Sequence, residues 1–229
     1  MRTILFLIVI PVSLIAQSRD YFIYPVPLAP NDFISTVGLS LAELPEDQVE
    51  EVSTAIRAPL FNFQARYGLP ENFSLYGAFY TNFATYHFSL GPRWKYRIDR
   101  LSFYLGYDVA FWFGVLNQFG YDSKVNAWMH YPNFSLGYEF NKFAVTIKAE
   151  LIYQVDLTVK SEDVEVSTEY NKFVGTAIGA YIEQPLWKDN IVILGIKVNY
   201  TKYYYPIWAA FPTFDRYFYI PEIVIGLNL

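Results

Sequence analysis

The chain contains no cysteine. That excludes disulfides, thiolate metal sites, a cysteine nucleophile and a lipidated N-terminal cysteine. Charge is also scarce: Asp, Glu, Lys and Arg make up 17% of the 229 residues, 22 acidic against 17 basic. A net charge of −5 argues against nucleic acid as a partner held by bulk positive charge. Only two histidines occur, His87 and His130. With no paired-His motif and no glycine-rich phosphate loop, the sequence implies no metal and no cofactor. Beyond the N-terminus there is no long apolar run. The longest stretch free of Asp, Glu, Lys and Arg, between Glu71 and Arg93, carries Asn72, Ser74, Thr81, Asn82, Thr85, His87 and Ser89. A helix would spread those polar groups around its whole circumference, whereas strands can turn them to one face. What is abundant is apolar and aromatic: 53% hydrophobic, with 21 Tyr, 20 Phe and 5 Trp. Such a composition excludes a disordered chain.

The first eighteen residues read as a secretory signal peptide. Arg2 is the positive flank, Ile4 to Ile15 is apolar apart from Pro11 and Ser13, and Ala16-Gln17-Ser18 offers small residues for cleavage. The apolar run of about twelve residues falls short of the roughly 20 that span a bilayer. The division expected is therefore 1–18 as cleaved signal and 19–229 as one exported domain.

The mature chain alternates. Over 143–159 the odd positions include Val145, Ile147, Leu151, Tyr153, Val155, Leu157 and Val159, and the even positions include Thr146, Lys148, Glu150, Gln154 and Asp156. Segment 101–115 repeats the pattern, with Leu101, Phe103, Leu105 and Tyr107 opposite Ser102, Tyr104, Gly106 and Asp108. In 84–98 Tyr86, Phe88, Leu90, Trp94 and Tyr96 back onto His87, Ser89, Arg93, Lys95 and Arg97. Period-two runs this long exceed an ordinary globular strand of about 5–6 residues and suit strands that cross a membrane, which need about 9–11.

Compact turns are expected at Leu69–Asn72, Arg97–Arg100, Phe140–Phe143 and Trp187–Asn190, because Asn and Asp tolerate the φ > 0 positions of tight hairpins. The other connections, near 43–52, 81–83, 116–126, 160–170 and 206–216, are mostly longer and more polar. The pattern predicts strands near 33–42, 53–68, 73–80, 84–97, 101–115, 127–139, 143–159, 171–186, 191–205 and 217–228. The fold class is all-β: a closed, antiparallel, up-and-down transmembrane β-barrel of about ten strands, with eight or twelve as alternatives. Pro25, Pro27 and Pro30 argue against a strand before Asn31. Pro59 and Pro185 each suggest a bulge. Aromatic residues gather at the turns, among them Tyr67, Phe73, Trp94, Tyr96, Phe140, Phe143 and Trp187, as in a girdle at the membrane–water interface.

Open edges cannot face hydrocarbon, so the sheet must close. A barrel of this size has a backbone radius of roughly 10 Å. Alternation then turns Arg66, Arg93, Lys95, Arg97, Lys148 and Lys197 inward, together with Asp108, Glu139, Glu150, Asp156, Glu183 and Glu222. Two roles are open to this network: a lumen plugged by mutual ion pairs, or a narrow porin-like conduit. The interior also contains His87, Ser89 and Asp108, which could lie in one patch. A serine, a base and an orienting carboxylate are the parts of a nucleophilic triad, so a lipid or ester hydrolase is an alternative reading. His130 shares a face with Trp128 and Phe134 and is expected outside. Acidic loops at 43–52 (Glu43, Glu46, Asp47, Glu50, Glu51) and 160–170 (Glu162, Asp163, Glu165, Glu169) read as solvated rims.

Signal segment, alternation, turns and girdle together resemble a small single-chain outer-membrane β-barrel of Gram-negative-type bacteria. The resemblance implies localisation in the outer membrane, contact with outer-membrane lipid and lipopolysaccharide, and insertion by the barrel-assembly machinery. Such barrels commonly end in Phe or Trp, whereas this chain ends Ile225-Gly226-Leu227-Asn228-Leu229. The Asp-x-His motif of omptin proteases is absent, since Thr85 and Trp128 stand two residues before His87 and His130. His87-Phe88-Ser89 is similar to the His-x-Ser of lipid A deacylases, without the Asn that follows it there. A third reading is a surface-binding barrel acting through loops 116–126 and 206–216.

Overall fold

The computed structural model describes residues 21–44, 57–118, 121–161, 164–186, 190–210 and 216–229. The signal segment 1–18, most of the acidic loop 43–52 and residues 187–189 of the last turn lie outside the described residues. The chain forms strands β1 (Phe33–Glu43), β2 (Arg57–Gly68), β3 (Phe73–Thr81), β4 (Thr85–Ile98), β5 (Leu101–Gln118), β6 (Tyr121–Glu139), β7 (Ala144–Ser161), β8 (Val164–Pro185), β9 (Ile191–Thr201) and β10 (Phe218–Asn228). Each strand pairs with its chain neighbours, and β1 pairs antiparallel with β10, Leu39 opposite Ile225, closing a ten-strand up-and-down barrel. Closure leaves the sheet without an edge.

Apolar residues of the alternating runs point out: Leu90, Leu105, Ile147, Leu151, Ile178 and Ile196 are exposed. Polar partners point in: Ser102, Ser135, Lys95 and Arg66 are buried. The turn at Glu71-Asn72 has both residues at positive φ (58° and 64°), the requirement of a type I′ hairpin turn.

Several expectations need correction. Regions 116–126 and 160–170 are mostly strand: β5 and β6 stay paired to Gln118 opposite Tyr121, and β7 and β8 to Ser161 opposite Val164. Where both faces of a hairpin are wet, pairing needs no alternation, so composition there looks like loop. Of the connections at the end remote from the chain termini, only 44–56 and 202–217 are long. Strand β2 has no bulge at Pro59; Ala58, Leu60, Asn62 and Arg66 all stay inward. Nor does Pro185 mark one, since the β8–β9 ladder runs on to Pro185 opposite Ile191. The real irregularities lie in β6–β7 between Trp128 and Met129 and in β7–β8 between Ile152 and Tyr153 and again between Val159 and Lys160. A bulge reverses the faces beyond it. Leu157, expected outward, is therefore buried, and Asp156, expected inward, sits opposite the exposed Trp128 and Tyr170 on the outer face. Finally, β9 ends at Thr201, and the chain then turns back into the barrel through a short 3-10 helix, Tyr205–Ala210.

Candidate functional site

At the end carrying the chain termini and the tight turns, here called the lower end, the segment from Tyr21 to Leu28 crosses the lumen. Tyr21, Phe22 and Tyr24 are at most 1% exposed. A backbone laid across a barrel brings N–H and C=O groups that the sheet cannot pair, and side chains must meet them. The Glu183 carboxylate accepts three successive N–H groups, from Phe22 (2.6 Å), Ile23 (2.9 Å) and Tyr24 (2.5 Å). Consecutive N–H groups converging in this way form an anion-binding nest. The carbonyls are met as well: Arg66 Nη2 donates to Tyr21 (2.7 Å), Lys95 Nζ to Val26 (3.3 Å) and Ser102 Oγ to Pro25 (2.6 Å). Pro25 and Pro27 bring no N–H to satisfy. Tyr24 donates its hydroxyl to Arg100 O (2.9 Å), and burial pushes that phenol up to about 12, so it remains a donor at any ordinary pH. Gly137 admits the plug, since a Cβ there would lie 2.6 Å from the Tyr24 ring. Arg66, Lys95 and Glu183, expected to pair with other lumen charges, thus also hold main chain.

The upper end is closed by different chemistry. Tyr203, Tyr204 and Trp208 are buried against Trp112, Val125, Ala127, Met129, Leu157 and Ile220. Tyr203 donates to Gln154 Oε1 (2.9 Å), and Asn82 Nδ2 bonds Pro206 O. Ala58 and Leu60 face inward because this part of the lumen is apolar, which removes any need for the bulge expected in β2.

Between the two closures lies a chamber of about 90 Å³. It has room for on the order of six waters. Its charges are balanced locally. Glu150 takes Lys148 (2.9 Å) and Lys197 (2.8 Å). Arg93 reaches Asp108 at 3.1 Å with both side chains buried, and its guanidinium lies 3.3 Å from the Tyr76 ring centroid and 4.9 Å from that of Tyr104. Glu222 accepts from Asn199 (3.2 Å). Arg97 and Glu139 meet at 2.7 Å on the lower rim, partly in solvent.

His87, Ser89 and Asp108 all line this chamber but do not form a relay. Asp108 Oδ2 accepts from Arg93 and from Asn133 Nδ2, each at 3.1 Å. His87 Nε2 faces Tyr131 OH at 3.3 Å, and its ring stacks on Tyr205 with centroids 4.6 Å apart. No hydrogen bond among the described residues joins Asp108 to His87 or His87 to Ser89. A base without its carboxylate and a serine without its base lack the geometry of nucleophilic catalysis. His130 is outside, hydrogen-bonded to Tyr107. Trp112, Tyr131, Tyr203 and Tyr205 belong to the chamber although sequence reasoning did not single them out. The run Tyr203-Tyr204-Tyr205-Pro206, aromatic residues stopped by a proline, was the available signal.

Among solved structures the chain is similar to Neisserial surface protein A, NspA (14% identity, 86% of this chain and 96% of that one, TM-score 0.41). It is also similar to the translocator domain of the autotransporter NalP from Neisseria meningitidis (10% identity, 86% and 87%, TM-score 0.45). A third is Ail, the attachment invasion locus protein of Yersinia pestis (12% identity, 88% and 100%, TM-score 0.29). At these identities and scores the likeness adds nothing to the strand order given above. No protein-family model and no curated protein matches the chain.

Proposed function

We propose that the chain is an integral outer-membrane β-barrel closed at both ends, a non-conducting barrel rather than an open porin. The observation that carries this reading is the Glu183 carboxylate gripping three successive N–H groups of a segment laid across the lumen. A membrane setting is supported by the outer surface: Leu39, Phe63, Leu90, Leu105, Ile196 and Ile223 are among many exposed apolar side chains around a sheet with no edge. Soluble monomers rarely expose apolar surface on this scale, and hydrocarbon tolerates strands only when the sheet is closed. Stacked aromatics near the tight turns, Trp94 with Tyr96 and Phe140 with Phe143, fit the interfacial girdle expected there. Outer-membrane lipid and lipopolysaccharide would contact this belt, with residues 1–18 as export signal and the barrel-assembly machinery as insertion partner. Conductance in planar bilayers tests the closure. The mature chain is expected to pass no steady current, and a variant that lacks residues 19–28 and also carries Trp208→Ala, which loosens the upper closure, is expected to conduct. Steady current through the intact mature chain would overturn the reading.

A further inference from the structure

A row of side chains runs across the outer face near the upper end, one from each of six neighbouring strands. The ladders place Phe79 opposite Phe88, Phe88 opposite Phe111, Phe111 opposite Trp128, Trp128 opposite Asp156 and Asp156 opposite Tyr170. Facing residues of adjacent strands hold their Cβ atoms about 4.5–5.5 Å apart, within reach of one another. The rings do meet: centroids lie 4.8 Å apart for Phe79 and Phe88 and 5.0 Å apart for Phe111 and Trp128. Phe88, Trp128 and Tyr170 are exposed on the outside of the barrel. Five positions of the row are aromatic, as suits a membrane–water interface, and the sixth is a carboxylate.

That carboxylate has no counterion. Asp156 takes part in no ion pair or hydrogen bond among the described residues, and its Oδ1 is buried without a partner. Lys172, two residues from Tyr170 on β8, is taken by Glu169 at 2.7 Å. The side chain as a whole is half-buried, so the carboxylate is approached from outside, past Trp128 and Tyr170. Nor do the rings relieve its charge. Their faces carry negative potential, unfavourable beside an anion and favourable beside a cation. Acid and rings thus call for the same occupant, a positive group seated between Trp128 and Tyr170. Two features narrow its class. No group of three or more His, Cys, Asp or Glu among the described residues is placed to hold a metal ion, so an organic cation fits better. A carboxylate oxygen only accepts, so satisfying Oδ1 requires an N–H, which a quaternary ammonium lacks.

We infer that Asp156, Trp128 and Tyr170 bind a primary alkylammonium group on the outer surface of the barrel. The aromatic row lies where lipid headgroups meet water, so the amine can come from a headgroup or from solution. The inference rests on the membrane setting proposed above. Incorporation into nanodiscs reads that setting separately, so an incorporated barrel that retains no amine counts against this site alone.

The test uses the mature chain in nanodiscs, with native mass spectrometry of what each barrel retains. Phosphatidylethanolamine and phosphatidylcholine with the same acyl chains are mixed in equal amounts, so the two probes differ only in methylation of the headgroup nitrogen. Phosphatidylethanolamine is expected to be retained about tenfold over phosphatidylcholine, the effect of one hydrogen bond to a charged group. Asp156→Asn keeps the size of the side chain and removes its charge, and the preference is expected to fall at least about threefold. Trp128→Leu keeps an apolar surface without the ring and is expected to weaken retention about threefold. A second arm uses phosphatidylcholine discs with millimolar ethanolamine. Ethanolamine retained there identifies a soluble amine as the source. Its absence, beside retained phosphatidylethanolamine in the first arm, identifies the lipid, and either result supports the site. Equal retention of the two phospholipids with no ethanolamine retained, or an undiminished preference in Asp156→Asn, would overturn it.

Discussion

The two ends of this barrel are closed by opposite means. At the lower end, charged and polar side chains of the wall, Glu183, Arg66, Lys95 and Ser102, reach inward and bond the backbone of a short segment. At the upper end the contact is mainly apolar and uncharged: Trp208, Tyr203 and Tyr204 pack on Trp112, Met129, Leu157 and Ile220, with neutral hydrogen bonds from Asn82 and to Gln154. The difference follows from what each insert brings. The lower segment crosses the lumen in irregular conformation, so its unpaired N–H and C=O groups set the demand. The upper insert satisfies part of its own backbone in a 3-10 turn, Ile207 N to Tyr204 O, and is left with aromatic side chains to bury. A barrel interior is therefore not polar by rule. It matches whatever occupies it.

The largest effect is expected from the upper closure. Trp208→Ala removes a large buried side chain from the centre of that cluster. Truncating a buried aromatic costs about 3–5 kcal/mol. Guanidinium unfolding of the refolded barrel should show a loss of this size, unchanged by added salt, because no charge is involved. A loss that shrinks as salt rises would mean that the upper end too is held electrostatically, and the contrast would fail.

The lower closure should respond less in stability and more in permeability. Glu183→Gln keeps the shape of the side chain but removes the charge and turns an amide toward N–H donors. Hydrogen bonds to a charged acceptor contribute about 1.5–3 kcal/mol, which sets the expected destabilisation. In a Trp208→Ala background, which loosens the upper closure, fluctuating single-channel openings should accompany it, because residues 21–28 lose their anchor while the β-ladders stay intact. If the double variant conducts no more than Trp208→Ala alone, the nest does not hold the plug.

How much of this was legible depends on the axial level. From the lower end up to the chamber, where Lys148 and Glu150 alternate with Ile147 and Leu151, the two faces separate as the period-two pattern requires. Strand positions, strand number and the inward course of most charged residues follow from that. Near the upper end the same logic fails, because it takes a polar lumen for granted. Ala58 and Leu60 look like a change of phase only if inward residues must be polar. Leu157 and Asp156 exchange faces at a bulge that a single inserted residue creates, and β-branched and apolar neighbours on both sides conceal it. The inserts themselves were hidden for another reason. Tyr21–Tyr24 and Tyr203–Tyr205 are too short for periodicity, and their partners are distant in sequence, with Glu183 lying 161 residues from Phe22. The candidate triad illustrates the same limit: alternation put His87, Ser89 and Asp108 on one wall, but Arg93 and Asn133, already at bonding distance, take the carboxylate.

The smallest effect is expected at the lower rim, where an ion pair occurs outside any closure. Arg97 and Glu139 approach to 2.7 Å, closer than the 3.1 Å of Arg93 and Asp108, and distance alone would rank the rim pair as the stronger. Exposure reverses the order. The Arg97 side chain is 38% and the Glu139 side chain 22% exposed, so water and salt screen their attraction and both partners stay hydrated if it breaks. Pairs of this kind contribute about 0–1 kcal/mol. Arg97→Gln should therefore lower unfolding stability by less than about 1 kcal/mol, with no current in planar bilayers and with the difference vanishing in high salt. A loss as large as that of Glu183→Gln, or the appearance of channel openings, would place Arg97 within the lower closure and extend the electrostatic half of the barrel out to its rim.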